Sequence, residues 1–330
     1  MSNFQIIFIG ILIFFTIVGV ITFAVVRNQG TVETADLVLW GIISQDDFDS
    51  FTTKMNEGRQ DALRLSYMQI NEKTFDADLA EAIANNRGPD IILLPQDRIL
   101  KHQGKIYAIP YTSLTERQFR DTFISEGSMY FVSDGILALP FSIDPLVMYY
   151  NRDLLSNASV ALPPSDWGQF ASFAKTLTKK SPSLAILQSG VALGEYGNIS
   201  HAKEIISTLF FQSGNPITSL ESNQWRSSFG GQGVLSGGAA TAVDFYTQFS
   251  NPTNDAYSWN RSLPLSFDLF SSGGLVVYFG LASDYSKIEG KNPNLNFDVA
   301  NFPQTKNAQA QITFGDMTGL AILKSSTHIA

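Results

Sequence analysis

The chain has 330 residues, long enough for two globular units and a sizeable buried core. Its 22 Lys and Arg against 30 Asp and Glu leave a net charge of -8 without any basic cluster, which argues against nucleic acid as a partner. The absence of cysteine excludes disulfides, thiolate nucleophiles, cysteine-held metals and cysteine-linked lipid anchors, and His102, His201 and His328 lack metal-ligand spacing, so no cofactor is expected.

From Phe4 to Val26 no residue carries a charge, and at about 1.5 Å per residue this run reaches across a hydrocarbon layer of roughly 30 Å. It reads as a membrane helix or a long signal peptide. Met1 to Gln5 holds no Lys or Arg, and the exit Ala24-Val25-Val26-Arg27 is a poor cleavage site, which favours an uncleaved anchor. A polar linker, Asn28 to Thr34, follows. Leu37 to Trp40 is a short continuous apolar run and predicts a buried strand, while Phe48, Phe51 and Met55 recur at helical spacing. A second strand is expected within Ala62 to Ile70, then a helix with Phe75, Leu79 and Ile83 on one face, stopped by Gly88 and Pro89. Ile91 to Leu94 supplies a third strand. This βαβαβ start places ligand loops after the strands, at Gly41 to Gln45 and Pro95 to Arg98.

Leu137 to Tyr150 is an extended apolar segment broken by Pro140 and Pro145, read as a crossing between two lobes. After Pro163 and Pro164, Ser165 is placed to cap a helix with Trp167, Phe170, Ala171, Ala174 and Leu177 inward. A further helix is expected from Ala202 to Phe211. Gln212 to Gly238 reads mostly as loop, and its glycine-rich string from Gly230 lacks both a preceding strand and the third glycine of a phosphate-binding turn. Asn251 to Leu263 is a second polar loop, Phe267 to Phe270 opens a helical turn, and Leu275 to Phe279 is strand-like.

An ordered series of segments resembles the extracellular solute-binding proteins of carbohydrate ABC importers, the maltose-binding-protein-like class. It comprises LVLWG from Leu37, FDADLAEAIANNRGPDIILL from Phe75, LPFSIDPLVMYYNRDLL from Leu139, PPSDWGQFASFAKTLT from Pro163, YSWN from Tyr257, SFDLFSSGGLVVYFG from Ser266, NPNLNFDVANFPQ from Asn292 and GLAIL from Gly319. The resemblance implies a two-lobed α/β fold of the periplasmic-binding-protein type with hinge strands, preceded here by one transmembrane helix. Lobe I is expected at 34–143 plus 304–330 and lobe II at 144–303, with 1–33 as anchor and linker. It also implies capture of a sugar or similar solute in an interlobe cleft and delivery to an ABC permease, without chemical change, on the extracytoplasmic side of the cytoplasmic membrane. Family members carry several more helices after the segment matching Gly319 to Leu323, so a truncated C-terminal end is expected.

Sugars present apolar C–H faces and a rim of hydroxyls, which calls for flat rings and for bidentate polar side chains. Trp40, Trp259 with Asn260 beside it, and Phe279 are the ring candidates; Asp97, Asp144 and Asp316 lie in or beside expected ligand turns. Trp40 fits the core equally well, Phe279 fits it better, and Asp144 fits a turn role with Pro145. Trp259, inside a polar run with no periodic core, is the expected stacking platform. Two rival classes remain: an anchored glycosidase using Asp144 and Asp316, and a ligand-sensing ectodomain.

Overall fold

The computed structural model describes residues 35–56, 63–221, 224–227 and 238–329. The expected membrane anchor and its linker, and the glycine-rich string up to residue 237, lie outside them. Among the described residues no helix is long and apolar enough to cross a membrane. They form two compact units: the first runs up to Phe141 and resumes at Thr318, and the second spans Ser142 to Met317.

The first unit opens β1 (Ala35–Gly41), α1 (Gln45–Asn56), β2 (Leu63–Gln69), α2 (Phe75–Ala84), β3 (Ile91–Pro95). Strand β1 pairs in parallel with β2 on one side and β3 on the other. Ile92, Leu93 and Leu94 are fully buried in succession, as expected for a parallel strand covered on both faces. Phe48 of α1 packs on Leu39 and Leu93 and stacks on Tyr67 with ring centroids 4.0 Å apart, which anchors the helix to the sheet. Phe75 and Leu79, four residues apart, form the buried stripe of α2. Helices α3 (Ile99–His102) and α4 (Glu116–Thr122) follow; α4 begins with a capping box in which Thr115 and Gln118 satisfy one another's backbone N–H groups. The short hairpin β4 (Phe131–Val132) and β5 (Gly135–Ile136) leads to β6 (Leu139–Asn151), whose chain leaves the first unit after Phe141.

In the second unit α5 (Arg152–Asn157), α6 (Phe170–Leu177), β7 (Lys179–Lys180) and β8 (Ile186–Val191) are followed by α7 (Ala202–Gln212) and a hairpin of β9 (Thr218–Glu221) with β10 (Gln224–Ser227). Then come α8 (Gly238–Thr247), α9 (Ser266–Ser271), β11 (Leu275–Leu281), α10 (Asp284–Lys291), β12 (Phe297–Ala300) and β13 (Gly315–Ile322). Strand β11 runs parallel to β8 and antiparallel to β6, which also pairs with β12; β7 pairs antiparallel with β8. Val276, Val277, Tyr278 and Phe279 are all buried, so β11 is central. Around it Trp167 meets Phe170, Phe279 and Phe302 with ring centroids 5.0 to 5.7 Å apart, a tilted aromatic cluster. From Thr318 onward β13 lies antiparallel on β3, completing the first unit's sheet.

Three expectations are corrected. The chain passes back to the first unit after Met317, not near residue 304. The intervening segment is fastened to α7: Gln212 Nε2 donates to the carbonyls of Pro303 and Ile312 at 2.9 and 2.8 Å, and Thr208 Oγ1 accepts from Phe314 N at 3.1 Å. The turn before α6 is capped by Asp166, whose Oδ1 accepts from Gly168 N at 3.0 Å, not by Ser165. The stretch read as loop after Gln212 contains the β9–β10 hairpin.

Candidate functional site

In open parallel sheets, ligands collect at the carboxyl ends of the strands, where loops carry side chains away from the packed layers. In the first unit that edge is formed by the turns after β1, β2 and β3. The last residue of β1 is glycine, where a Cβ would lie 2.6 Å from Leu93 Cδ1, and Tyr67 OH donates to Ile43 O at 2.7 Å, fixing the turn beyond. Burial pushes the Tyr67 hydroxyl up to about 12, so it stays a donor. After β3, Asp97 is exposed. Its neighbour Arg98 turns back, donating to Glu72 O at 3.1 Å and to Asp76 Oδ1 at 3.5 Å while lying over the Phe75 ring. Asp76 also takes Lys101 Nζ at 2.5 Å and His102 Nε2 at 2.7 Å. The Lys101 hydrogen bond, opposed by burial and helped by His102 and Arg98, holds the Asp76 carboxyl down to about 2. His102 is fully buried, and burial pushes its pKa down. Asp97 thus sits on a turn braced from behind by a charged cluster.

In the second unit the carboxyl ends of parallel β8 and β11 share an edge. Past β8 the chain turns through Gly194 at φ +99°, a conformation that favours glycine, and a Cβ there would lie 2.6 Å from Ser250 N. Two side chains hold the turn from below: Ser250 Oγ donates to Gly194 O at 2.9 Å and Tyr246 OH donates to Glu195 O at 2.6 Å. Held this way, the turn presents Tyr196 with 65 % of its surface exposed. Beside it Glu195 Oε2 accepts from Arg261 Nε at 2.8 Å, an ion pair whose arginine is largely in solvent. Glu195, Tyr196 and Arg261 border a recess of about 280 Å³ floored by Ile206, Val243 and Tyr246. Past β11, Asp144 Oδ1 accepts from Ser283 N at 3.0 Å, because antiparallel β6 pairs Leu146 with Leu281 at the end of β11 and so sets Asp144 beside the residues that follow. Asp284 lies just beyond and is buried. Burial raises its pKa, but hydrogen bonds from His201, Lys287 and Tyr278 outweigh that and hold it down to about 2.

The residues singled out in the sequence fall in different places. Trp259 is fully buried in the core of the second unit, its Nε1 donating to Asn198 Oδ1 at 3.1 Å, so neither face is open for stacking. The polar run around it wraps a core side chain instead of displaying it. Phe279 is 1 % exposed and belongs to the Trp167 cluster; Trp40 is buried on β1. Asn260 is spent on its own turn, accepting from Ser262 N at 2.9 Å and donating to Tyr257 OH at 2.7 Å. Asp97 and Asp144 lie on the carboxyl edges of their own units, and Asp316 is exposed near the start of β13. Tyr196, Glu195 and Arg261 escaped the sequence reading. Their signal was present: a tyrosine in the glycine-flanked run Gly194-Glu195-Tyr196-Gly197 has no helical or strand periodicity to bury it. Among the described residues no cluster of His, Asp and Glu could hold a metal ion.

The family model of bacterial extracellular solute-binding proteins matches residues 50–329. No curated protein matches the chain by sequence. Among solved structures, a cyclo/maltodextrin-binding protein complexed with maltotetraose is similar at 15 % identity and a TM-score of 0.68, covering 89 % of this chain and 71 % of its own. The galacto-N-biose-/lacto-N-biose I-binding protein of a Bifidobacterium longum ABC transporter, in complex with lacto-N-biose, gives 17 % identity and 0.65 over 89 % and 72 %. An ABC substrate-binding protein of Listeria monocytogenes in complex with cycloalternan gives 14 % and 0.64 over 89 % and 72 %.

Proposed function

Because the chain belongs to the bacterial extracellular solute-binding protein family, we propose that it captures a saccharide outside the cytoplasm and delivers it unaltered to an ABC import permease. The observation that carries the sugar reading is Tyr196: an exposed flat ring on a turn held by Tyr246 and Ser250, with a carboxylate and a guanidinium beside it. A ring face for C–H surface and charged groups for hydroxyls is the pairing that carbohydrate needs. The similar solved structures include proteins bound to maltotetraose, mannotriose and tagatose, which supports the same solute class. On this reading the two compact units correspond to the two lobes of the family. Asp97 on the first and Asp144 on the second offer carboxylate oxygens to hydroxyls, Asp144 while keeping its bond to Ser283 N. The globular part is held at the outer face of the cytoplasmic membrane through the apolar run Phe4 to Val26.

Titration calorimetry against a panel of mono- and oligosaccharides tests this proposal, with Tyr196→Ala as the companion variant. A bound saccharide should be recovered chemically unchanged, and its affinity should fall by about one to two orders of magnitude in Tyr196→Ala at unchanged melting temperature. Release of a hydrolysed product would favour a carbohydrate-active enzyme. Wild-type affinity in the variant would move the site away from β8.

A further inference from the structure

The recess beside Tyr196 differs from a plain hydroxyl-binding surface. Its apolar lining comes from Ile206 of α7 and Val243 and Tyr246 of α8, and the hydroxyl protons of the lining Tyr246 and Thr247 are already committed. Tyr246 OH donates to Glu195 O at 2.6 Å, and Thr247 Oγ1 donates back to Val243 O at 2.9 Å within its own helix. At about 280 Å³ it lies just under the roughly 300–1,000 Å³ of common small-molecule pockets, room for one substituent or one ring and no more. An unsubstituted hexose pushed into it would set hydroxyls against the apolar side chains of Ile206 and Val243. The rim is the opposite in character. Glu195 contributes an acceptor carboxylate, and Arg261, bonded to it through Nε, is largely in solvent and carries further N–H donors.

Resting on the saccharide reading above, we propose that this recess is a subsite for an N-acetylated sugar residue. The acetamido methyl is seated on Ile206 and Val243, the amide N–H donates to Glu195, and the amide carbonyl accepts from Arg261. The substituent offers one methyl, one donor and one acceptor, and the recess offers one apolar floor, one acceptor and one donor. Tyr196, exposed on the turn above, stacks on the ring that carries the group.

The test is calorimetry of the purified protein with two pairs of sugars that differ only in the acetamido group: N,N′-diacetylchitobiose against cellobiose, and N-acetyllactosamine against lactose. The acetylated member of at least one pair should bind about tenfold or more tightly. Val243→Thr, which keeps the shape but adds a hydroxyl to the floor, and Arg261→Gln should each shrink that ratio, with the melting temperature reporting that both variants fold. Equal affinities within both pairs, or a ratio untouched by both variants, would overturn the subsite and leave the saccharide reading standing. Absence of binding by every member, together with no binding across the wider saccharide panel, would overturn that reading and the subsite with it.

Discussion

Replacing Trp259 separates a core role from a binding role. Its side chain is fully buried among the apolar residues of the second unit, and its indole N–H meets Asn198 Oδ1, while Asn198 Nδ2 donates to Asn260 O at 2.9 Å and Leu263 O at 3.0 Å. One asparagine therefore ties the tryptophan to the turn that follows it. Trp259→Ala empties a large buried volume and should cost about 3–5 kcal/mol. Trp259→Phe retains most of the packing but orphans the Asn198 carbonyl, which should cost about 1–3 kcal/mol. Against a total stability of about 5–15 kcal/mol both variants still fold. Because two units can unfold separately, native-state hydrogen exchange of the β8 and β11 amides is the right probe, with saccharide affinity measured in parallel by calorimetry. Protection should fall by these amounts, while the affinity of Trp259→Phe stays within about twofold of wild type. Unchanged protection with a tenfold loss of affinity would make Trp259 a ligand platform and refute the core assignment.

The sequence made the first unit's sheet legible because β1 and β3 are short continuous apolar runs, β2 alternates, and its helices carry a clean four-residue spacing, as at Phe75 and Leu79. The second unit was harder for physical reasons. Strand β8, Ile186–Val191, reads ILQSGV, and Ser189 and Gly190 break any strand pattern. Their small size serves packing: a Cβ on Gly190 would lie 2.9 Å from Ala174 O, and Ser189 Oγ bonds Ser258 O at 2.8 Å. Helix α8 hides behind alanines and glycine that carry little hydrophobic contrast. The binding candidates failed in an instructive way. A tryptophan in a polar loop and a tyrosine in a polar loop look alike in one dimension. What distinguishes Trp259 from Tyr196 is a partner 61 residues away, Asn198, which supplies the buried indole with an acceptor. Of the carboxylates, the position of Asp97 follows from the βαβ order, which puts the turn after β3 at the carboxyl end of a parallel strand, whereas the place of Asp144 beside Ser283 depends on the pairing of β6 with β11, which no local pattern announces.

Acid should weaken the fold in two stages. His102, buried with its pKa lowered, withdraws its contribution as pH falls below the ordinary histidine value of about 6.5; Asp284, held at about 2 against 3.8, contributes about 2 kcal/mol above pH 4 that is lost as pH falls toward 2. Melting temperatures across pH 2–7 check this, and Asp284→Asn should reduce the lower stage, which Asp76 shares, while lowering the melting temperature at pH 7; a curve level from pH 5 to 2 in the wild type would contradict it. Gly194→Ala probes the turn that displays Tyr196. A non-glycine residue at φ +99° costs about 1–3 kcal/mol, and the added Cβ meets the backbone nitrogen of Ser250 at 2.6 Å, a group that cannot swing aside like a side-chain tip. Relief requires the turn to lift, which breaks the Ser250 bond to Gly194 O or the Tyr246 bond to Glu195 O and moves Tyr196 with it. Saccharide affinity should therefore drop by about tenfold or more, with a modest fall in melting temperature, and a Gly194→Ala protein that binds as wild type would mean that the turn does not set the position of the ligand ring.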